Sequence, residues 1–295
     1  MVSCLVNSSF ILERELLKVS VKGESTMKES LRQELYEMTK QWMIEAGRYI
    51  KKHLDEPLHV ATKSNPNDLV TEMDENVEKF FVNKIKEAYP EHYIFGEEGY
   101  GDEIISLEGI VWIIDPIDGT MNFVHQKRNF AISIGIYHEG IGEIGLIYDC
   151  MNDTMYSAKR GEGAFKNDQQ LAPLKQDISL NESILALNHR WLCKNSFIDE
   201  KVMQALIKEI RGNRSYGSAA LEFAYVAEGI IDGYIAMRLA PWDIAAGMII
   251  VNEVGGVTSN GNGEAVNLLT RNMIITCNAV LQDTIINDFM KKGKK

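Results

Sequence analysis

The stretch GIVWIIDPIDGT, residues 109–120, decides how this chain is read. An unbroken apolar run from Ile110 to Ile114, with Gly109 before it and Pro116 behind, gives a buried strand over residues 109–115. Asp115 stands where that strand ends, and Asp118 follows three residues on. A strand end can aim a carboxylate into a cleft while the strand itself stays packed. Pro116 stiffens the turn, and Gly119 lets the backbone approach an anion closely. Thr120 opens a helix, which leaves the amides of Gly119 and Thr120 free to hold phosphate oxygens. The competing account of the same residues is an Asx-turn running into a capped helix.

Further acids lie on both sides. Glu97 and Glu98 follow the apolar stretch from Tyr93 to Phe95 and precede Gly99. Asp68 and Asp74 sit in DLVTEMD, and Asp243 follows Pro241-Trp242 ahead of the apolar run IAAGMII. Each has a plainer reading alone: surface charge for the glutamates, a cap for Asp68, a helix-dipole acid for Asp243. Taken together they change meaning. Carboxylates converging on one point repel one another, and their pKa values rise unless a cation sits among them. Oxygen ligands without Cys or His favour Mg2+ or Mn2+ over Zn2+. Two such ions about 3.5–4 Å apart activate a water and stabilise a leaving oxygen. Beside a phosphate-sized nest, the matching reaction is hydrolysis of a phosphate monoester.

The rest of the chain supplies a mixed α/β frame. Leu31, Leu35, Met38, Trp42, Ala46 and Ile50 recur at helical spacing, which predicts a helix over 28–54. A second helix is predicted over 72–88, with Val77, Phe80, Phe81 and Ile85 inward. Strands over 109–115, 130–137, 143–148 and 154–158 follow without helices between the last three, so their sheet is largely antiparallel. The second half alternates: strand 183–187, helix 197–210, a short strand, a helix from about 218 to Gly229, strand 231–237, helix 242–254, strand 272–278 and helix 283–292. That change of rhythm divides the chain into an N-terminal α+β subdomain, 27–175, and a C-terminal α/β subdomain, 176–295, that completes the site. Residues 1–26 read as a leader. Met27 directly precedes the first amphipathic run, and codons for Lys22-Gly23-Glu24 can spell a bacterial ribosome-binding site, so Met27 is the expected natural start.

Composition narrows the partners. The 295 residues carry a net charge of −11, which offers no electrostatic footprint for nucleic acid or an anionic membrane. That also argues against a two-metal nuclease. Cys4, Cys150, Cys193 and Cys277 are scattered, with no zinc spacing, and read as reduced cysteines of a cytoplasmic protein. No apolar run is long enough to cross a membrane.

The chain closely resembles the inositol monophosphatase family of Mg2+-dependent, lithium-sensitive phosphatases. The resemblance rests on KSNPNDLVTEMD (63–74), GEEG (96–99), WIIDPIDGTMNFVH (112–125), YGSAAL (216–221) and PWDIAAGMIIVNEVGG (241–256), in that order. It implies a layered α-β-α-β-α sandwich with the site between two subdomains. It implies that Glu97, Asp115 and the Ile117 carbonyl bind one metal, and that Asp115, Asp118 and Asp243 bind a second. A third, weaker ion near Glu97 would bring the count to two or three, with Mn2+ a substitute for Mg2+ and Li+ an inhibitor. It further implies a relay of Thr120 and Asp74 that deprotonates the attacking water, with Glu98 nearby. Gly119 and Thr120 would hold phosphate, and Gly217, Ser218 and Ala219 would line the alcohol side. Lys63 would add positive charge, Asp68 would support its loop, and the protein would be a homodimer.

One position departs from the family. Inositol-hydrolysing members carry a Glu seven residues before the Trp-Asp aspartate, where it contacts substrate hydroxyls; here that position is Ala236. A methyl group accepts no hydrogen bond from a polyol. Arg238, two residues on, could meet a second negative group instead. Inositol 1-phosphate is therefore the first expectation. The 2′-phosphate of NADP(H), fructose 1,6-bisphosphate and a broad sugar-phosphatase activity stand as alternatives with the same metal chemistry. A catalytically silent scaffold is the alternative of another class, and retention of every acid named above speaks against it.

Overall fold

Two helices come first, α1 (Glu29–His53) and α2 (Glu72–Ala88). They were predicted by spacing, and their inward faces are the expected ones: Leu35, Trp42, Ala46 and Ile50 on α1, and Val77, Phe81 and Ile85 on α2. The computed structural model describes residues 27–57, 60–62 and 69–292. Residues 1–26, expected to be a leader, and the expected site residues Lys63 and Asp68 lie outside the described residues. Between the helices, β1 (Val60–Thr62) pairs antiparallel with β2 (Leu69–Thr71). This hairpin was not anticipated, because the polar stretch between its strands masks so short a pairing.

The first sheet has seven strands in sequence order: β3 (Tyr93–Gly96), β4 (Ile110–Asp118), β5 (Ala131–His138), β6 (Ile141–Asp149), β7 (Thr154–Lys159), β8 (Ala164–Lys166) and β9 (Gln169–Gln170). All its pairings are antiparallel except β3 with β4. A short helix, α3 (Thr120–Gln126), joins β4 to β5. The second sheet has five strands: β10 (Ile184–Leu187), β11 (Gly212–Arg214), β12 (Gly233–Leu239), β13 (Val257–Ser259) and β14 (Asn272–Cys277). Their order is β11-β10-β12-β14-β13, with β10 parallel to both its neighbours. Helices α4 (Glu200–Glu209), α5 (Ala219–Glu228), α6 (Pro241–Glu253) and α7 (Ala279–Asp288) complete the chain.

Two predicted helix starts need correction. The last helix begins at Ala279, not 283, because the Asn278 side chain accepts the Leu281 amide at 2.8 Å. The helix expected from 197 begins at Glu200, because Asp199 accepts the Lys201 amide at 3.0 Å. Both starts are set by a polar cap, which hydrophobic spacing does not register.

Three cores define the layers. Helices α1 and α2 cover one face of the first sheet, burying Trp42, Phe81 and Ile85 against Trp112, Ile114 and Ile134. Helices α5 and α6 fill the space between the sheets, where Phe223, Ile244 and Ala245 meet Val111 and Ile113 on one side and Ala236 and Ile274 on the other. Helices α4 and α7 cover the outer face of the second sheet, with Met203, Leu206, Leu281 and Ile285 against Leu185, Ile235 and Ile275. The alternation of Ile235 and Ala236 between two cores is the period-two signature of a sheet covered on both faces. The result is the expected α-β-α-β-α order. Helix α6 lies unusually close to the first sheet. A Cβ at Gly135 would stand 2.9 Å from that of Ala245, and one at Gly145 would stand 2.5 Å from the Ala246 carbonyl. That close approach brings the start of α6, and Asp243 with it, to the end of β4. No helix among the described residues is long and apolar enough to cross a membrane.

Candidate active site

Asp115 and Asp118 are three residues apart, so on a regular strand they would point to opposite faces. The strand is not regular there. Asp115 pairs with Ser133 and Asp118 with Ala131, so two residues of β4 oppose one of β5. This bulge falls at Pro116, which has no amide to give the ladder, and it turns both carboxylates to the same side. Asp243 arrives from the first turn of α6, where its carboxylate accepts the Ala240 amide at 2.6 Å and Pro241 occupies the first helical position. Ligand oxygens of Asp115, Asp118 and Asp243 all lie within 4.8 Å of one another.

Glu97 joins them because the parallel pairing of β3 with β4 runs one step past Gly96. The Glu97 amide donates to the Ile114 carbonyl at 3.2 Å, which sets its side chain beside Asp115. Phe95 packs edge-on against Trp242 with ring centroids 5.4 Å apart, tying the end of β3 to the start of α6.

The electrostatics are those of a site built for cations. Burial, then the charges of Glu97, Asp118 and Asp243, hold Asp115 well above the usual carboxylate range. Desolvation, then Asp118 and Glu97, do the same to Asp243. Burial pushes Asp118 up to about 7, although Ser218 and the Ala220 amide (2.7 Å) both donate to it. Such a cluster, all carboxylate oxygens with no sulfur or imidazole, fits a hard divalent cation.

Beside it, Asp74 is gripped by the cap of α2. One carboxylate oxygen accepts the Thr71 amide at 2.9 Å and the Thr71 hydroxyl at 2.5 Å. The other oxygen is left to accept the Thr120 hydroxyl at 3.2 Å. Thr120 is also within 3.2 Å of the Ile117 carbonyl. Burial outweighs the Thr71 donors and raises Asp74 to about 6. Gly119, at the start of α3, has φ +95°, and a Cβ there would stand 3.2 Å from the carbonyls of Asn129 and Gly217. Both facts demand glycine.

Of the three residues expected on the alcohol side, Gly217 is exposed, while Ser218 and Ala219 are buried. The Ser218 hydroxyl and the Ala219 amide are directed at Asp118. Ala236 is buried on β12, as its methyl group suggests. Arg238 is exposed, and its guanidinium lies 5.3 Å above the ring of Phe197, itself half exposed.

Two buried glutamates escaped the sequence reading. Glu78 on α2 accepts the amides of Glu98 at 2.7 Å and Tyr100 at 2.8 Å, and so shapes the loop that carries Glu97 and Glu98. A Cβ at Gly96 would stand 2.4 Å from its carboxyl carbon. Glu222 on α5 accepts the amides of Tyr216 and Gly217. The available signal was an acid on a helix's otherwise apolar face: Glu78 lies four residues after Asp74 and three before Phe81.

The model of the inositol monophosphatase family matches residues 31–294. Inositol-1-monophosphatase of Bacillus subtilis is 53% identical over 261 residues, covering 88% of this chain and 98% of its own. A crystal structure of Staphylococcus aureus inositol monophosphatase II with inositol monophosphate superposes with a TM-score of 0.78 at 41% identity, over 88% of this chain and 94% of that one. The same enzyme with 2′-AMP gives 0.80 at 42%, over 88% of this chain and 95% of that one. With a converging acid cluster, a Thr120–Asp74 contact and this likeness along nearly its whole described length, the chain belongs to the inositol monophosphatase family and is a Mg2+-dependent phosphatase.

Proposed function

We propose that this enzyme hydrolyses inositol 1-phosphate to inositol and phosphate, by direct attack of water and without a phosphoenzyme. The observation that carries the reading is the convergence of Asp115, Asp118 and Asp243 beside the Thr120–Asp74 pair. Asp115, Asp118, Asp243, Glu97 and the Ile117 carbonyl are the residues that would hold Mg2+. When bound, such ions would acidify water, neutralise charge on the phosphoryl oxygens and stabilise a departing alkoxide, which takes its proton from a second water. The chain's own groups do the rest. Asp74, raised to about 6, accepts a proton passed through the Thr120 hydroxyl from a water aligned with the phosphorus. Glu98, on the loop held by Glu78, helps orient that water. The amides of Gly119 and Thr120 donate to phosphate oxygens that gain charge in the transition state. Gly217 forms the exposed part of the alcohol side. The reading brings with it two or three ions, Mn2+ as a substitute, inhibition by Li+, a homodimer and a cytoplasmic location.

A second substrate reading is favoured by one observation. Ala236 offers no acceptor to a polyol, while Arg238 and Phe197 present a cation above an aromatic ring. A nucleotide carrying a 2′-phosphate suits those groups, through charge and stacking, and the S. aureus relative has been crystallised with 2′-AMP as well as inositol monophosphate. Initial rates on inositol 1-phosphate, NADP+, fructose 1,6-bisphosphate and 3′-phosphoadenosine 5′-phosphate separate the readings. Highest kcat/KM on inositol 1-phosphate supports the first, and highest on NADP+ replaces it with the second. No Mg2+-dependent turnover on any of the four would favour the silent scaffold.

A further inference from the structure

The turn over residues 216–218 is held from two sides. On one, the Asn122 side-chain amide donates to the Tyr216 carbonyl at 2.7 Å and to the Asn129 carbonyl at 2.8 Å. On the other, one oxygen of Glu222 accepts the Tyr216 amide at 2.6 Å and the Gly217 amide at 3.3 Å. Gly217 has φ +80°, and a Cβ there would stand 3.1 Å from the Asn122 amide nitrogen, so the turn has little room to shift. The next residue, Ser218, donates to Asp118, as does the Ala220 amide two residues further on. Glu222 itself is buried, and the hydroxyl of buried Tyr234 donates to it. An acid in that position has no solvent to satisfy it, so its three donors are the reason it can be there.

We propose that Glu222 is a positioning residue, which fixes the 216–218 turn and through it sets both the alcohol side of the pocket and the orientation of Asp118. It is not one of the three clustered acids, Asp115, Asp118 and Asp243. Its effect passes along the backbone, from the two amides it accepts to the hydroxyl and amide that Asp118 accepts. Its reach matters more than its charge, because what it supplies is an acceptor at a fixed place. This role rests on the phosphatase reading above, and the test separates the two.

The experiment compares Glu222→Leu, which keeps the volume and removes both acceptors, with Glu222→Gln, which keeps one carbonyl oxygen in reach. Hydrogen–deuterium exchange of the peptide covering 213–221 is measured on the metal-free proteins, and kcat and KM are measured with inositol 1-phosphate and Mg2+. In the Leu variant, the peptide is expected to lose protection while the β4–β6 peptides keep theirs. Its kcat/KM should fall roughly 10- to 100-fold, in keeping with loss of the two buried hydrogen bonds that hold the turn, through both higher KM and lower kcat. The Gln variant should keep wild-type protection and stay within about threefold of wild-type kcat/KM. Unchanged exchange and kinetics in the Leu variant would overturn the proposal, as would a Gln variant as impaired as Leu. Should Glu222→Leu fail to fold, Glu222→Asp decides, because its shorter side chain withdraws the acceptor from both turn amides: faster exchange at 213–221 supports the role, and unchanged exchange refutes it. An inactive wild type with the exchange pattern intact would defeat the substrate reading and leave the positioning role standing.

Discussion

Asp118 occupies a place where three constraints meet. It ends a buried strand, it lies on the side of a bulge that turns it toward Asp115, and two donors from the start of α5 fix one of its oxygens. Replacing it with Asn keeps the shape and removes the charge. Turnover of Asp118→Asn should fall about 100-fold or more, the scale of losing a major transition-state electrostatic contact; steady-state rates on inositol 1-phosphate check this, and near-wild-type kcat would refute the role. Thr120→Ala should be comparably severe, because Asp74 then has no hydroxyl through which to receive a proton. Ala236→Glu places a hydrogen-bond acceptor on β12 and should raise kcat/KM for inositol 1-phosphate relative to NADP+. Unchanged selectivity would show that this position does not govern polyol choice. The acids at 97, 115, 118 and 243 were legible in sequence because each stands at a boundary between an apolar run and a turn. Glu78 and Glu222 were not, because an acid inside a helix looks like a surface residue until the loop amides it holds are seen.

At the level of elements, the site is assembled from terminations: the end of β3, the bulged end of β4, and the starts of α2, α3, α5 and α6. Helix starts leave unpaired amides and strand ends leave free side chains, which is why chemistry gathers at these points. The cap of α2 shows the coupling, since Thr71 both caps the helix through the Met73 amide (3.1 Å) and steadies Asp74. Thr71→Val removes the hydroxyl alone. Its expected cost is about 1 kcal/mol of unfolding free energy, measured by urea denaturation, together with a clear fall in kcat as Asp74 loses its fixed orientation. Full activity in a destabilised Thr71→Val protein would separate the cap from the relay. Element types followed from periodicity, and the helix expected over about 72–88 runs from Glu72 to Ala88 with Pro90 just beyond it, whereas its cap proved to be Thr71. The bulge was only half visible: Pro116 announces a break in the ladder, but not that the break restores Asp115 and Asp118 to one side.

Across the whole molecule, the net charge of −11 is partly concentrated where two sheets and the helices between them bring acids together. Asp74, Asp115, Asp118 and Asp243 all have raised folded-state pKa values. The metal-free folded protein therefore binds more protons than the unfolded chain above the ordinary carboxylate range. Its stability falls as pH rises from about 4 through the raised values near 6 and 7, the reverse of an acid held low by a salt bridge. Metal-free protein should melt higher at pH 5 than at pH 8, and added Mg2+ should raise the melting temperature more at pH 8, where the acids are ionised; equal metal effects at both pH values would contradict this. The layered fold was legible as strands in series followed by alternation, whereas the closeness of α6 to the first sheet, set by Gly135 and Gly145, appeared only in three dimensions. The most direct test is phosphate release from inositol 1-phosphate by the full chain, titrated with Mg2+ from a metal-free start. The expected result is turnover that is absent without metal, rises saturably with Mg2+ and is lost in Asp118→Asn. Turnover that persists in chelator and is unaffected by Asp118→Asn would contradict it.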